Sequence, residues 1–297
     1  MLHNSKMFAA SVLLCMSSVA ALAKAPAIIA HRGGTADGPE NTEYVIQKSI
    51  NNGADAIWVT LQLSKDNVIV LYRPSDLATL SSLTGRVSSR TLSELQHTDA
   101  AYHWSPPDYP LRGKGISVPA LQEVLKKWPT AFFFLDIKSP DASPQTFARV
   151  LADTLHKSNG LGRIRVYSTD SRYLEALPAD IPRFESRDLT RNILANITMD
   201  HHCTVAAQQT APVWYGFEYR REVQVTEKFT LGEGVSKSFL TWDREALQCV
   251  KQNPHNKVVL FGINTAEDYR QATALGADAV LVDSPEKFNA ITGRQHQ

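Results

Sequence analysis

Phe132-Phe133-Phe134-Leu135-Asp136-Ile137-Lys138 places four apolar residues in a row and then turns charged. An unbroken apolar run of this kind suits a strand covered on both faces, as in a parallel sheet. Val258-Val259-Leu260-Phe261 repeats the pattern near the other end of the chain. Further strand candidates are Ala27–Ala30, Ala56–Leu63, Ile164–Ser168, Arg183–Glu185, Val213–Glu218 and Ala279–Val282. Helix-period segments lie between them. Thr42–Asn51 ends near Gly53, Leu121–Lys127 follows Pro119, and Ser143–Lys157 opens with a capping Ser followed by Pro. Asp243–Gln252 and Thr265–Leu275 also begin on capping residues, the second stopping at Gly276. Eight strands alternating with helices predict an α/β fold, a TIM-type (β/α)8 barrel. A doubly wound open sheet is the competing arrangement.

Two segments break the alternation. Val68–Tyr72 follows the turn-like Lys65-Asp66-Asn67 and is expected to return along the second strand as a hairpin. From Pro74 to Val118 the chain is rich in Ser, Thr, Pro and Gly, with one short helix near Thr91–Leu95. That length exceeds an ordinary connection and reads as an insertion after the second strand, over one face of the barrel. Tyr102, His103, Trp104 and Tyr109 lie in it, as a small satellite cluster or as a cover for a ligand.

The first residues read as a leader. Lys6 precedes an apolar and small-residue stretch from Ala9 to Leu22, and Ala21-Leu22-Ala23 is a small-x-small cleavage site. Residues 1–23 are therefore expected to be a signal peptide and 24–297 a single exported domain, periplasmic or secreted, with no integral membrane segment. Loss of Lys6 brings the 31 basic residues level with the 30 acidic ones. A balanced chain lacks the positive field of a nucleic-acid binder, so any anion site must be local. Cys203 and Cys249 are the cysteines beyond the leader, either paired in an oxidising compartment or separate thiols. His201-His202-Cys203 reads as a loop, since adjacent residues seldom face one metal.

Functional groups in such barrels sit at the C-terminal ends of strands. The first strand delivers His31-Arg32-Gly33, followed by Pro39-Glu40-Asn41-Thr42. A forked guanidinium, an imidazole and a permissive backbone together suit a phosphate. The second strand presents Trp58, Thr60 and Gln62 on one face, and its return presents Arg73. Asp136 and Lys138 stand two apart on another strand, and the last strand ends at Asp283, which reads equally as a cap.

The ordered motifs resemble the glycerophosphodiester phosphodiesterase family. Beyond the opening His31-Arg32-Gly33, the resemblance runs through Gly53-Ala54-Asp55, Leu63-Ser64-Lys65-Asp66 and Thr84-Gly85-Arg86-Val87. It continues in Val118-Pro119-Ala120-Leu121-Gln122-Glu123, Leu135-Asp136-Ile137-Lys138 and Leu275 to Pro285. It implies a TIM barrel that hydrolyses glycerophosphodiesters with a divalent cation, two histidines acting as acid and base. On that pattern His31 matches the first catalytic histidine and Arg32 the phosphate-contacting arginine. Asp136 matches a metal ligand shortened by one methylene, Lys138 the adjacent lysine, and Glu40 the acidic residue of the second motif. Trp58 and Thr60 stand where the paired Glu-x-Asp ligands belong, and Arg73 stands where the second histidine belongs.

Those departures shape the expectation. A hard cation such as Ca²⁺ or Mg²⁺ needs several oxygen ligands, and Trp58 supplies none. No cofactor is expected, unless a Ca²⁺ or Mg²⁺ site survives in altered form around Asp136. Arg73 stays charged and cannot be a general acid, but it can hold a phosphate with Arg32 and Lys138. The chain is thus expected to bind a small phosphodiester at His31, Arg32, Glu40, Arg73 and Lys138, with weak or lost metal-dependent hydrolysis. The alternatives are a metal-independent phosphodiesterase using His31, or a non-enzymatic interaction protein on the same barrel.

Overall fold

The computed structural model describes residues 24–205 and 211–293, so the expected leader lies outside the described residues. Apolar β1 (Ala27–Ala30) leads through a tight turn at 31–33 to α1 (Glu43–Asn51), β2 (Ala56–Leu63) and the short β3 (Ile69–Leu71). The insertion carries α2 (Leu92–Gln96) before α3 (Leu121–Lys127), β4 (Phe133–Ile137), α4 (Pro144–Lys157) and β5 (Ile164–Ser168). Then come α5 (Ser171–Glu175), α6 (Arg187–Asp200), β6 (Trp214–Glu218), and a pair, β7 (Arg220–Phe229) and β8 (Gly232–Thr241). The chain closes with α7 (Arg244–Val250), β9 (Lys257–Phe261), α8 (Ala266–Leu275), β10 (Ala279–Val282) and α9 (Pro285–Thr292).

The parallel strands run in the order β5-β4-β2-β1-β10-β9-β6, with β3 antiparallel to β2. First and last strands are neighbours, Ile29 lying opposite Leu281. Segment 182–185 closes the ring: Phe184 N donates to Val166 O at 2.9 Å and Glu185 N to Trp214 O at 2.8 Å. The closed ring is a (β/α)8 barrel and not a doubly wound open sheet. Its fifth member makes too few ladder bonds to count as a full strand, which is why Arg183–Glu185 survives only as a bridge to Val166.

Period-two alternation divides the core into layers. Outward residues such as Val59, Leu135 and Val166 pack under α3 and α4, and Phe217, Val258 and Val280 pack under α6 and α7. Inward residues fill the barrel: Ile29, Trp58, Phe134, Tyr167, Phe184, Val259 and Leu281. Trp58 is only 2% exposed, its ring 5.1 Å from those of Tyr167 and Phe261. The next inward layer toward the strand C-termini is polar. The insertion keeps a separate apolar cluster of Val70, Tyr72, Leu77, Val87 and Leu95. Its aromatics lie outside that cluster, Tyr102 and Tyr109 both stacking on Arg112.

Cys203 and Cys249 are disulfide-bonded, joining the segment after α6 to α7. Among the described residues the ten-residue strands β7 and β8 pair only with each other, and they project from the C-terminal end of β6. Sequence patterning gives no expectation of this hairpin, nor of α5, α6 and α9.

Candidate functional site

The turn after β1 is held by its backbone. Gly34 N and Thr35 N both donate to His31 O, and Asn41 N donates to Arg32 O at 2.8 Å. Arg32 and Asn41 take left-handed conformations (φ 49° and 59°), uncommon for residues with a side chain and frequent where a site over-determines them. Gly33 allows the turn to sit on α1: a Cβ there would lie 2.7 Å from Val45 Cγ1, and its φ is +85°.

His31 Nδ1 lies 2.7 Å from Asp283 Oδ1, joining residues 252 positions apart. Thr35 Oγ1 donates to the same oxygen at 3.0 Å, and Asn264 Nδ2 donates to Oδ2 at 2.7 Å. Asp283 N in turn donates to Asn264 Oδ1 at 2.9 Å. The hydrogen bond with His31 holds the Asp283 carboxyl below the usual carboxylate range, against an opposing effect of burial. An ionised Asp283 can only accept, so Nδ1 of His31 is the donor in this pair.

Arg32 donates to Glu40 Oε2 at 2.6 Å, and Glu40 Oε1 is buried without a hydrogen-bond partner among the described residues. Asn41 Oδ1 accepts from Thr60 N at 2.8 Å. Thr60 lies opposite Asp136 in the β2–β4 register. Asn41 Nδ2, Thr60 Oγ1 and Asp136 Oδ1 also lack hydrogen-bond partners among the described residues. Burial raises the Asp136 carboxyl, and Lys138, Trp58 and His31 act in the opposite direction. Lys138 Nζ is 3.4 Å from Asp136 Oδ1 and 3.0 Å from Thr169 Oγ1. Lys138, Arg73, Ser75, Ser139 and Thr169 line one cavity of about 380 Å³ at the strand ends.

On the far side, Arg187 donates to Tyr167 OH at 3.1 Å and to both oxygens of Glu218 at 2.7 Å. Burial pushes the Tyr167 phenol up to about 12. Burial opposes the Arg187 charge, but Tyr167 and Glu218 raise its affinity for the proton overall.

The expected residues thus fall into three groups. His31 is tied to Asp283, Arg32 to Glu40, and Lys138 to Asp136, with Arg73 sharing the Lys138 cavity. Arg32 does not line that cavity. Asp283 does not cap α9; that position belongs to Ser284. Its link to His31 follows from topology, since each ends a strand and a closed barrel makes first and last strands neighbours. Glu218 carries the same strand-end signal. Arg187 carries none, because it opens a helix that the sequence pattern does not announce.

The model of the Glycerophosphoryl diester phosphodiesterase family matches residues 31–287. Uncharacterized protein Rv2277c of Mycobacterium tuberculosis is 40% identical over 267 residues, 88% of this chain and 87% of that one. The crystal structure of its glycerophosphoryl diester phosphodiesterase domain has a TM-score of 0.83 at 38% identity, covering 92% of this chain and 100% of that chain. A glycerophosphodiester phosphodiesterase of Bacillus subtilis is 31% identical over 140 residues, 46% of this chain and 47% of that one. A phosphodiesterase of Oleispira antarctica, in complex with the product sn-glycerol-3-phosphate, shares the fold, with TM-score 0.65 at 18% identity over 91% of this chain and 97% of that chain.

Proposed function

The chain belongs to the glycerophosphoryl diester phosphodiesterase family, and we propose that within it this protein binds a small phosphodiester with weak or lost metal-dependent hydrolysis. The observation that carries the reading is Trp58, buried among aromatic rings directly beneath Thr60 and Asp136. An indole cannot ligate a hard cation, and Thr60 offers one neutral oxygen. Among the described residues no three His, Cys, Asp or Glu side chains converge as a metal centre. Lys138, 3.4 Å from Asp136, brings an ammonium to the same carboxylate. The donor set does not fit Ca²⁺ or Mg²⁺.

In this reading Arg73 and Lys138 receive the phosphate anion in the cavity they share, and Thr169 and Ser139 add hydroxyl donors. Arg32, fixed by Glu40, keeps guanidinium hydrogens beyond the one that Glu40 takes. The His31–Asp283 pair favours a second reading, metal-independent cleavage, with Nε2 as base or nucleophile and the cations stabilising developing charge. Loss of one acid–base partner typically costs about 10²–10⁴ in rate, so turnover on that route is slow. The chain is also proposed to be exported and freed of residues 1–23, which the Cys203–Cys249 bond supports. No helix among the described residues is long and apolar enough to cross a membrane.

Hydrolysis of glycerophosphocholine with and without EDTA tests the reading, beside titration calorimetry with the same compound. Binding without turnover is expected, weakened about tenfold or more by Arg73→Ala or Lys138→Ala. Turnover restored only in Trp58→Glu/Thr60→Asp/Arg73→His would identify an eroded metal site. Chelator-insensitive turnover lost in His31→Ala selects the second reading. Robust cation-dependent hydrolysis by the unaltered protein overturns the first.

A further inference from the structure

The β7–β8 hairpin leaves the barrel just after Glu218, and among the described residues β8 pairs only with β7. Its other edge therefore carries no ladder hydrogen bonds. Support is confined to the base, where Leu240 is buried in the apolar layer under α6. A two-stranded sheet is marginal in water without further strands or a covered face. Period-two alternation divides β8 between two faces. Gly232, Gly234, Ser236 and Ser238 lie on one, so nothing longer than a hydroxymethyl group stands there beside the open edge. Glu233, Val235, Lys237 and Phe239 lie on the other. On that face Lys228 lies opposite Glu233, and Lys237 reaches Glu222 at 2.8 Å. Val235 is 63% exposed, Phe239 40% and the turn residue Leu231 100%. Centred on Val235, the order Leu231, Glu233, Val235, Lys237, Phe239 is symmetric in apolar and charged positions, and its two charges are opposite in sign.

We infer that β8 pairs antiparallel with β8 of a second copy, about a two-fold axis at Val235, giving a four-stranded sheet and a reversible dimer. That axis sets Val235 beside Val235, Glu233 of each copy beside Lys237 of the other, and Leu231 beside Phe239. Acid meets base and apolar meets apolar on this face, while the opposite face brings only glycine and serine together. With the pairs already made inside each hairpin, charge alternates across the sheet through Lys228, Glu233, Lys237 and Glu222. The edge of β7 offers no such match. An axis at Val225 sets Arg221 beside Phe229 and Glu227 beside Val223, and one at Gln224 sets Arg220 beside Lys228. Charges on an open edge keep other strands away. Antiparallel self-pairing of β8 is the arrangement that neutralises them. One strand pair covers less than the roughly 1,000 Å² of a permanent interface, so the association depends on concentration.

Sedimentation of the purified protein over a range of concentrations tests this, with Glu233→Lys and Lys237→Glu run separately and mixed. The unaltered protein is expected to pass from monomer to dimer as concentration rises. Each variant alone sets like charges together at both contacts and should weaken dimerisation about tenfold. The mixture restores opposite charges at both contacts and should recover dimers holding one copy of each variant, which a misfolded chain could not do. Amide hydrogen exchange of the unaltered protein needs no variant, and β8 should gain protection as concentration rises. A monomer at every concentration overturns the inference and leaves Glu233 and Lys237 as guards of an open edge. So do a dimer that neither variant weakens, a mixture of folded variants no more associated than either alone, and β8 exchange indifferent to concentration.

Discussion

Asp283 and Asp136 both stand at barrel strand ends, yet their surroundings push them in opposite directions. The His31 imidazole depresses Asp283, so its bonds contribute stability above the unfolded carboxyl value of 3.8, and that stability is lost as pH falls through the lower folded value. Asp283→Asn is expected to melt roughly 2–4 °C lower at neutral pH, equivalent to about 1 kcal/mol, since the half-exposed pair is screened. Melts recorded across the acid range should show that gap closing below the depressed folded pKa; a constant gap would contradict the linkage. Burial raises Asp136, so the folded state there holds its proton more tightly than the unfolded chain. Its ionisation costs stability as pH rises from 3.8 through the raised folded value, and the full penalty remains above it. Asp136→Asn should therefore raise the melting temperature at neutral pH by roughly 2–4 °C, with no gain in acid. A neutral-pH decrease would mean that the Lys138 ion pair outweighs the burial cost.

At the level of elements, legibility followed the chemistry of burial. β1, β2, β4, β9 and β10 were readable because strands covered on both faces must be nearly all apolar. α4 was readable from Ser143 and Pro144, a cap and a first-turn proline that the structure uses in those positions. The β7–β8 hairpin was not, because its strands are solvated on both faces and mix Arg, Glu, Gln, Thr and Val with no apolar run to mark them. α6 was hidden by a similar mixture, which removes Arg187 and its bonds to Glu218 from anything a pattern can suggest. His31, Arg32 and Lys138 were legible as groups emerging from apolar strands. The partner of His31 was not, since Asp283 approaches it only once the ring has closed. The polar atoms of Glu40, Asn41 and Thr60 that lack hydrogen-bond partners among the described residues are likewise a consequence of packing, invisible before the side chains are placed.

Across the whole molecule the barrel closes by hydrogen bonds between first and last strands, and the Cys203–Cys249 bond adds a second closure to its C-terminal half. The bond spans a sequence separation of 46 and ties the segment following α6 to α7. Both helices pack on the apolar layer that contains Phe217, Val258 and Val280. Constraining a loop of that length in the unfolded chain is worth about 4 kcal/mol on the chain-entropy account. At roughly 2–4 °C per kcal/mol for a chain of this size, reduction should lower the melting temperature by about 8–16 °C. Cys203→Ser/Cys249→Ser should reproduce that loss and abolish any further effect of dithiothreitol. The comparison also bears on export, because a barrel that draws this much stability from a disulfide is suited to an oxidising compartment. Protein made in a reducing cytosol should accumulate with free thiols and melt like the double variant, whereas protein passed through an oxidising compartment should melt high until reduced. Equal melting temperatures for the two preparations, with the bond shown present in one and absent in the other, would remove the disulfide as a support for export.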